Sequence, residues 1–217
     1  MCNLYAQKAG PQAIMKAAKA ARNAAGNMKP GSIYPDYAAP IVRMEGDERI
    51  LTTARWGLPS PAFALEGKKT DKGVTNVRNT SSPHWRRWLA PQFRCLVPFT
   101  SFSEPGRDAD GKYKSVWFGL KDADPEVPAF FAGIWVPQWT SVRKLKEGEV
   151  TADLFAFLTT EPSEPVKSVH PKAMPVILTE PDELEMWMGA EWVFAQELQR
   201  PLPQFQVVIK NEIADQH

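Results

Sequence analysis

The chain has 217 residues, 43% hydrophobic and 24% charged, ordinary values for a soluble globular protein with one sizeable core. Its 26 basic and 25 acidic side chains leave a formal charge of +1, which excludes a broadly basic nucleic-acid coat but permits a local basic groove. Two cysteines, Cys2 and Cys95, give neither a disulfide framework nor zinc-ligand spacing, and no apolar run approaches the ~20 residues of a membrane span.

These bounds give a reading of one domain over residues 1–217, monomeric, cytoplasmic, off the membrane and without metal or cofactor. In chain order, Met1-Cys2 comes first. If Met1 is removed, Cys2 carries a free α-amine and a thiol on neighbouring carbons. The amine of such a 1,2-aminothiol adds to an aldehyde, and the thiol then closes a five-membered thiazolidine. An α-amine titrates near ~8 and a thiol near ~8.5, so some neutral amine exists at physiological pH. The plain alternative is a frayed or packed second residue.

Pro11 to about Ala25 reads as a helix, with Pro11 in the first turn and Gly26 past its end. Residues 40–44 and 49–56 read as two strands joined by Glu45-Gly46-Asp47. Val74 to Thr80 is a short strand-like piece whose Asn76 and Arg78, two apart, share a face; a turn asparagine and a solvated arginine is the other reading. Ser82 to Leu89 reads as a short helix with Trp85, Trp88 and Leu89 on one side and Arg86 and Arg87 outside. That pattern suits either a core helix or a single-strand binding face built on charge and stacking. Arg94 to Phe99 reads as a buried strand, which makes Cys95 a core residue.

Glu104 ends that apolar run, either exposed at a loop or held with a raised pKa for acid catalysis; sequence alone favours exposure. Strands follow at 114–120, 128–136 and 153–160. The stretch from Pro137 to Glu149 reads as a loop carrying Trp139, Arg143, Lys144 and Lys146. His170 sits on a proline-constrained loop, structural or poised for proton transfer; His84 lies in the Arg/Trp helix and His217 at the end of the chain. Helices are expected through Trp187 and from Glu191 to Gln199, then a strand over 204–210. The pattern is α+β, of mostly antiparallel short strands.

Met1-Cys2, Trp56-Gly57-Leu58-Pro59, Asn76-Val77-Arg78, Arg94-Cys95-Leu96-Val97-Pro98 leading to Glu104, and His170 before Met174-Pro175-Val176-Ile177-Leu178 occur in that order. Together they resemble the SRAP family, the SOS-response-associated peptidase family that shields abasic sites. The resemblance implies antiparallel sheets curled into a pseudo-barrel with peripheral helices. It implies a DNA-damage protein that crosslinks to abasic sites in single-stranded DNA as a thiazolidine through Cys2. By matching position, Asn76 would orient the N-terminus, Glu104 and His170 would move protons, and Arg78 would hold a phosphate. Further DNA contacts would come from Trp56, Phe63, Arg86, Arg87 and Lys172.

Three departures stand out. Asn3-Leu4 replaces the family's Gly-Arg after the cysteine, Pro105 replaces a tryptophan after the glutamate, and Lys172-Ala173 lies in a His-to-Met-Pro segment one residue longer. Two other functions fit parts of the pattern: an N-terminal-nucleophile cysteine peptidase, and a non-catalytic single-strand binder using the Arg/Trp clusters.

Overall fold

A computed structural model describes residues 2–108, 110–124 and 127–210. Met1 and His217, on which some of the expectations above rest, lie outside them. The chain runs β1 (Leu4–Gln7), α1 (Pro11–Ala18), β2 (Arg22–Asn23), β3 (Gly31–Ile33), β4 (Ala38–Glu45) and β5 (Glu48–Trp56). Then come α2 (Ala62–Leu65), β6 (Asn76–Val77), α3 (Pro83–Arg86), β7 (Arg94–Phe99), β8 (Ser101–Arg107) and β9 (Tyr113–Leu120). The long strands β10 (Ala129–Val142) and β11 (Glu149–Thr160) follow, with α4 (Val166–Val169), β12 (Met174–Pro175) and β13 (Ile177–Leu178). Last are α5 (Pro181–Gly189), α6 (Trp192–Ala195) and β14 (Val207–Lys210).

Strands β11, β10, β7, β4 and β5 pair in sequence, and β5 returns to β11 in parallel register through Leu154↔Arg55 and Phe155↔Trp56. The five strands therefore close into a barrel, and β5 and β11 are spared a bare edge there. A second sheet, in the order β14-β9-β8-β1-β3, lies beside it. The architecture is the expected α+β one, mostly antiparallel, with short helices.

Alternating residues on the barrel strands feed two cores. One joins Leu51, Leu96, Ala132, Ile134 and Leu154 to Trp85, Trp187 and Ile14 of the helices and to Trp88 just past α3. The other joins Trp56, Val97, Phe99, Phe131, Phe155 and Phe157 to Tyr5, Phe102 and Phe118 of the second sheet. Cys2 and Cys95 belong to the second core.

Several boundaries differ from the sequence reading for identifiable reasons. Helix α1 stops at Ala18, not near Ala25, because Lys19 turns left-handed and Ala21 and Ala24 donate to Arg49 and Leu51 of β5. Pairing at a strand edge there overrides alanine's helix propensity. Strand β10 continues through the expected loop to Val142, across a bulge between Val136 and Trp139. Arg143 is buried, not solvated: its guanidinium donates to the carbonyls of Asp71 and Gly57. The strand-like piece at 74–80 shrinks to β6, which pairs in parallel with β11 through Phe157↔Asn76.

Gly57 and Gly73 lie against each other beside the Arg143 guanidinium. Gly73 has φ +77°, and a methyl group there would strike the Arg143 guanidinium and the Gly57 backbone. Gly73→Ala is expected to lower stability by about 2 kcal/mol or more, read as a lower urea midpoint with unchanged slope.

Candidate active site

Cys2 lies just ahead of β1, which is held between β3 and β8. The β1–β8 register sets Leu4 opposite Ser103, so Asn3 arrives at the level of Glu104 and Cys2 one residue beyond it. Cys2 is fully buried, and its thiol donates to Leu4 O at 3.4 Å. Burial pushes the thiol pKa well up, and the nearby Glu104 charge pushes it further. The thiol is thus held neutral.

Asn76 reaches Cys2 from β6. Its Nδ2 donates to Cys2 O at 2.8 Å and to Thr75 Oγ1 at 2.8 Å. Its Oδ1 is buried and accepts no hydrogen bond among the described residues, so an acceptor stands ready beside the Cys2 backbone. Thr75 Oγ1 in turn donates to Asn3 Oδ1 at 3.2 Å. Sequence reasoning missed Thr75; only its adjacency to Asn76 hinted at it.

Glu104 sits mid-strand on β8, paired with Val116 of β9, and is 1% exposed. This corrects the expectation of an exposed loop carboxylate. The strand continues three residues past Glu104, and β1 and β9 cover it from both sides. Burial raises its pKa to about 7. Oε2 lies 3.6 Å from His170 Nδ1, and that nitrogen lies 3.0 Å from Ala173 O. The Ala173 carbonyl accepts, which places the ring proton on Nδ1. His170 follows α4, a helix packed on β8. A cleft of 510 Å³ lined by Pro105, Gly106, Val169 and their neighbours flanks the pair.

The raised Glu104 pKa makes stability fall as pH climbs. Below its unfolded value of ~4.3 both states carry the proton; between there and about 7 only the folded state holds it. Above pH 7 the fold carries a buried carboxylate at a cost on the order of 3 kcal/mol. Glu104→Gln is therefore expected to be more stable than wild type at pH 8 and equal to it at pH 4, compared by urea denaturation at both values.

The remaining sequence candidates divide. Arg78, half exposed, pairs loosely with Glu161 at 3.4 Å. Phe63 is 81% exposed on α2, and Lys172 is exposed just past His170. Arg86 is exposed, and Arg87 lies over the Trp88 ring at 4.0 Å and near Trp139 at 5.7 Å. Trp56 is different. It is 1% exposed, packed against Tyr5, Phe155 and Phe157, with Nε1 donating to Thr75 O at 3.0 Å. Its ring is closed to a DNA base, so it supports the site from beneath and is not available for stacking.

A closed five-strand barrel, a second sheet and a buried cysteine at position 2 bound by asparagine define the class of protein. The chain belongs to the SOS response associated peptidase (SRAP) family, whose model matches residues 1–212. That membership links it to the response to DNA damage. The fold recurs among solved structures, of which two illustrate it. One, a protein from Bacteroides thetaiotaomicron, has a TM-score of 0.68 at 19% identity, covering 96% of this chain and 90% of that one. The other, a phage-related protein from Bordetella bronchiseptica, has a TM-score of 0.66 at 18% identity, covering 97% and 95%. No curated protein matches significantly. Among the described residues no helix is long and apolar enough to cross a membrane.

Proposed function

We propose that the protein attaches itself covalently to abasic sites in single-stranded DNA, through the α-amine and thiol of Cys2 after Met1 is removed. The observation that carries this reading is convergence from three distant segments: Asn76 bonds the Cys2 carbonyl, Glu104 lies near enough to act on the Cys2 thiol, and His170 lies against Glu104.

An abasic sugar opens to an aldehyde when its ring oxygen gains a proton and its C1 hydroxyl loses one. The neutral amine of Cys2 adds to that aldehyde, with Asn76 Oδ1 accepting from the nitrogen. Protonated Glu104 gives its proton to the departing hydroxyl, water leaves, and an iminium remains. The Cys2 sulfur then attacks the iminium carbon, and its proton passes to the Glu104 carboxylate. One C–N and one C–S bond form, one water is lost, and Glu104 returns to its starting state. His170, on the Glu104 carboxylate, moves protons between that group and solvent. Arg78 exchanges Glu161 for a backbone phosphate, and Arg86, Arg87, Phe63 and Lys172 extend the contact along the strand.

The test is a denaturing gel. The protein is incubated with a single-stranded oligonucleotide carrying one abasic site and with its intact counterpart. A band that survives denaturation with the abasic strand alone is expected. Retention of both strands equally, lost in denaturant and steeply weakened by salt, would instead mark a plain single-strand binder.

A further inference from the structure

The turn between β3 and β4 exposes two aromatic rings next to this site. Tyr34 is 41% exposed and Tyr37 54%, and their centroids lie 5.6 Å apart at a tilt of 56°. Neither is needed to fill a core, yet the turn that carries them is held firmly. Tyr37 N donates to Tyr34 O at 3.1 Å, Asp36 N to Trp56 O at 2.8 Å, and Trp56 N to Tyr37 O at 2.9 Å. Asp36, in the left-handed region at φ +73°, receives two bonds from Arg55, at 2.6 and 2.8 Å, and Lys144 pairs with it at 2.9 Å. Arg55 is pinned from its other side by Glu147 at 2.8 Å. A bidentate arginine–carboxylate pair is a rigid fastening.

The fastening leads to Cys2 by two routes. Ile33 is the register partner of Tyr5, so Tyr34 leaves β3 level with Leu4, two residues from the nucleophile. Trp56, bonded to the turn on both sides, carries Thr75 on its indole nitrogen, and Thr75 carries Asn76.

We propose that Tyr34 and Tyr37 form a stacking platform for the unpaired base of the nucleotide flanking the abasic site; this rests on the crosslinking reading above. An abasic nucleotide has no base to grip. The sugar can be aligned with the Cys2 amine only through its phosphates and its neighbours' bases. Aromatic side chains meet that need because every base has a π-face, so stacking fixes position without demanding a sequence. The tyrosine hydroxyls stay in water while the rings carry the base. Asp36 does not repel the strand, since Arg55 and Lys144 neutralise it.

The test is a base-deletion, residue-deletion cycle on a non-reactive strand. Single-stranded oligonucleotides carry tetrahydrofuran in place of the abasic sugar, with the base on its 5′ or 3′ side kept or removed by a second tetrahydrofuran. Binding is read by fluorescence anisotropy. For wild type, removing one of the two flanking bases is expected to weaken binding on the order of ten-fold. For Tyr34→Ala/Tyr37→Ala, binding to the base-containing strand falls by a similar factor, and removing that base costs nothing further. Because no charge is lost, the salt dependence stays the same. An equal loss in wild type and variant, or no loss in wild type at either side, overturns the platform. The denaturing gel with wild type and a true abasic strand reports the crosslink separately, so a missing adduct contradicts Cys2 attachment whatever the cycle shows.

Discussion

Replacing Cys2 with alanine is expected to cut the yield of denaturation-resistant adduct by more than about a hundred-fold, the scale of losing a covalent nucleophile. The two halves of the reaction should separate in this variant. Cys2→Ala keeps an α-amine at the same position, held by the same Asn76, whose contact is with the Cys2 carbonyl and not its side chain. An imine can still form, but water reverses it, and only borohydride reduction traps it. Inserting one residue between Met1 and Cys2 makes the complementary change: the thiol survives and the amine moves away by one residue. That variant should give neither a stable nor a borohydride-trapped adduct through Cys2. Wild-type yield from either protein contradicts the mechanism.

Glu104→Gln is expected to slow crosslinking by about 10² to 10⁴-fold, the usual worth of one positioned acid–base group. The pH profile carries more information than the rate. In wild type the rate should rise as the Cys2 amine loses its proton and fall as Glu104 loses its own near pH 7, giving a bell. In Glu104→Gln the falling limb attributable to the carboxyl should disappear, leaving a low rate that climbs with the amine. The same substitution should stabilise the fold at pH 8, because it removes the cost of a buried carboxylate. A slower but sturdier protein is the mark of a group kept for chemistry. If the variant were both slow and unstable at pH 8, Glu104 would be serving the fold.

Much of the sheet architecture was legible in the sequence. Strands β4, β5, β7, β9 and β11 announce themselves as alternating or wholly apolar runs bounded by glycine, proline and turn residues. The misses come from long-range pairing. Nothing near Glu104 in the chain says that β8 will be sandwiched between β1 and β9, yet that decides its burial and its pKa. Arg143 looks like one more loop cation until the Gly57 and Asp71 carbonyls close around it. Trp56 looks like a stacking residue until β5 and β11 join and enclose it.

The site followed the same rule. Cys2 announces its chemistry from its position alone, but the bond that brings Asn76 to it spans 74 residues. In the sequence, only the resemblance of five motifs in order links Asn76, Glu104 and His170 to Cys2. Nothing in the proline-containing loop around Tyr34 and Tyr37 sets them apart in the sequence. Their exposure matters only once β3 is seen beside β1 and the Arg55 fastening beneath them.

Intact mass spectrometry of the protein, before and after incubation with an abasic oligonucleotide, tests Cys2 attachment most directly. The protein should first appear without Met1. It should then gain the mass of the oligonucleotide less one water, with peptide mapping placing the addition on Cys2. A protein that keeps Met1 and still forms the adduct, or one whose mass is unchanged by the abasic strand, would contradict it.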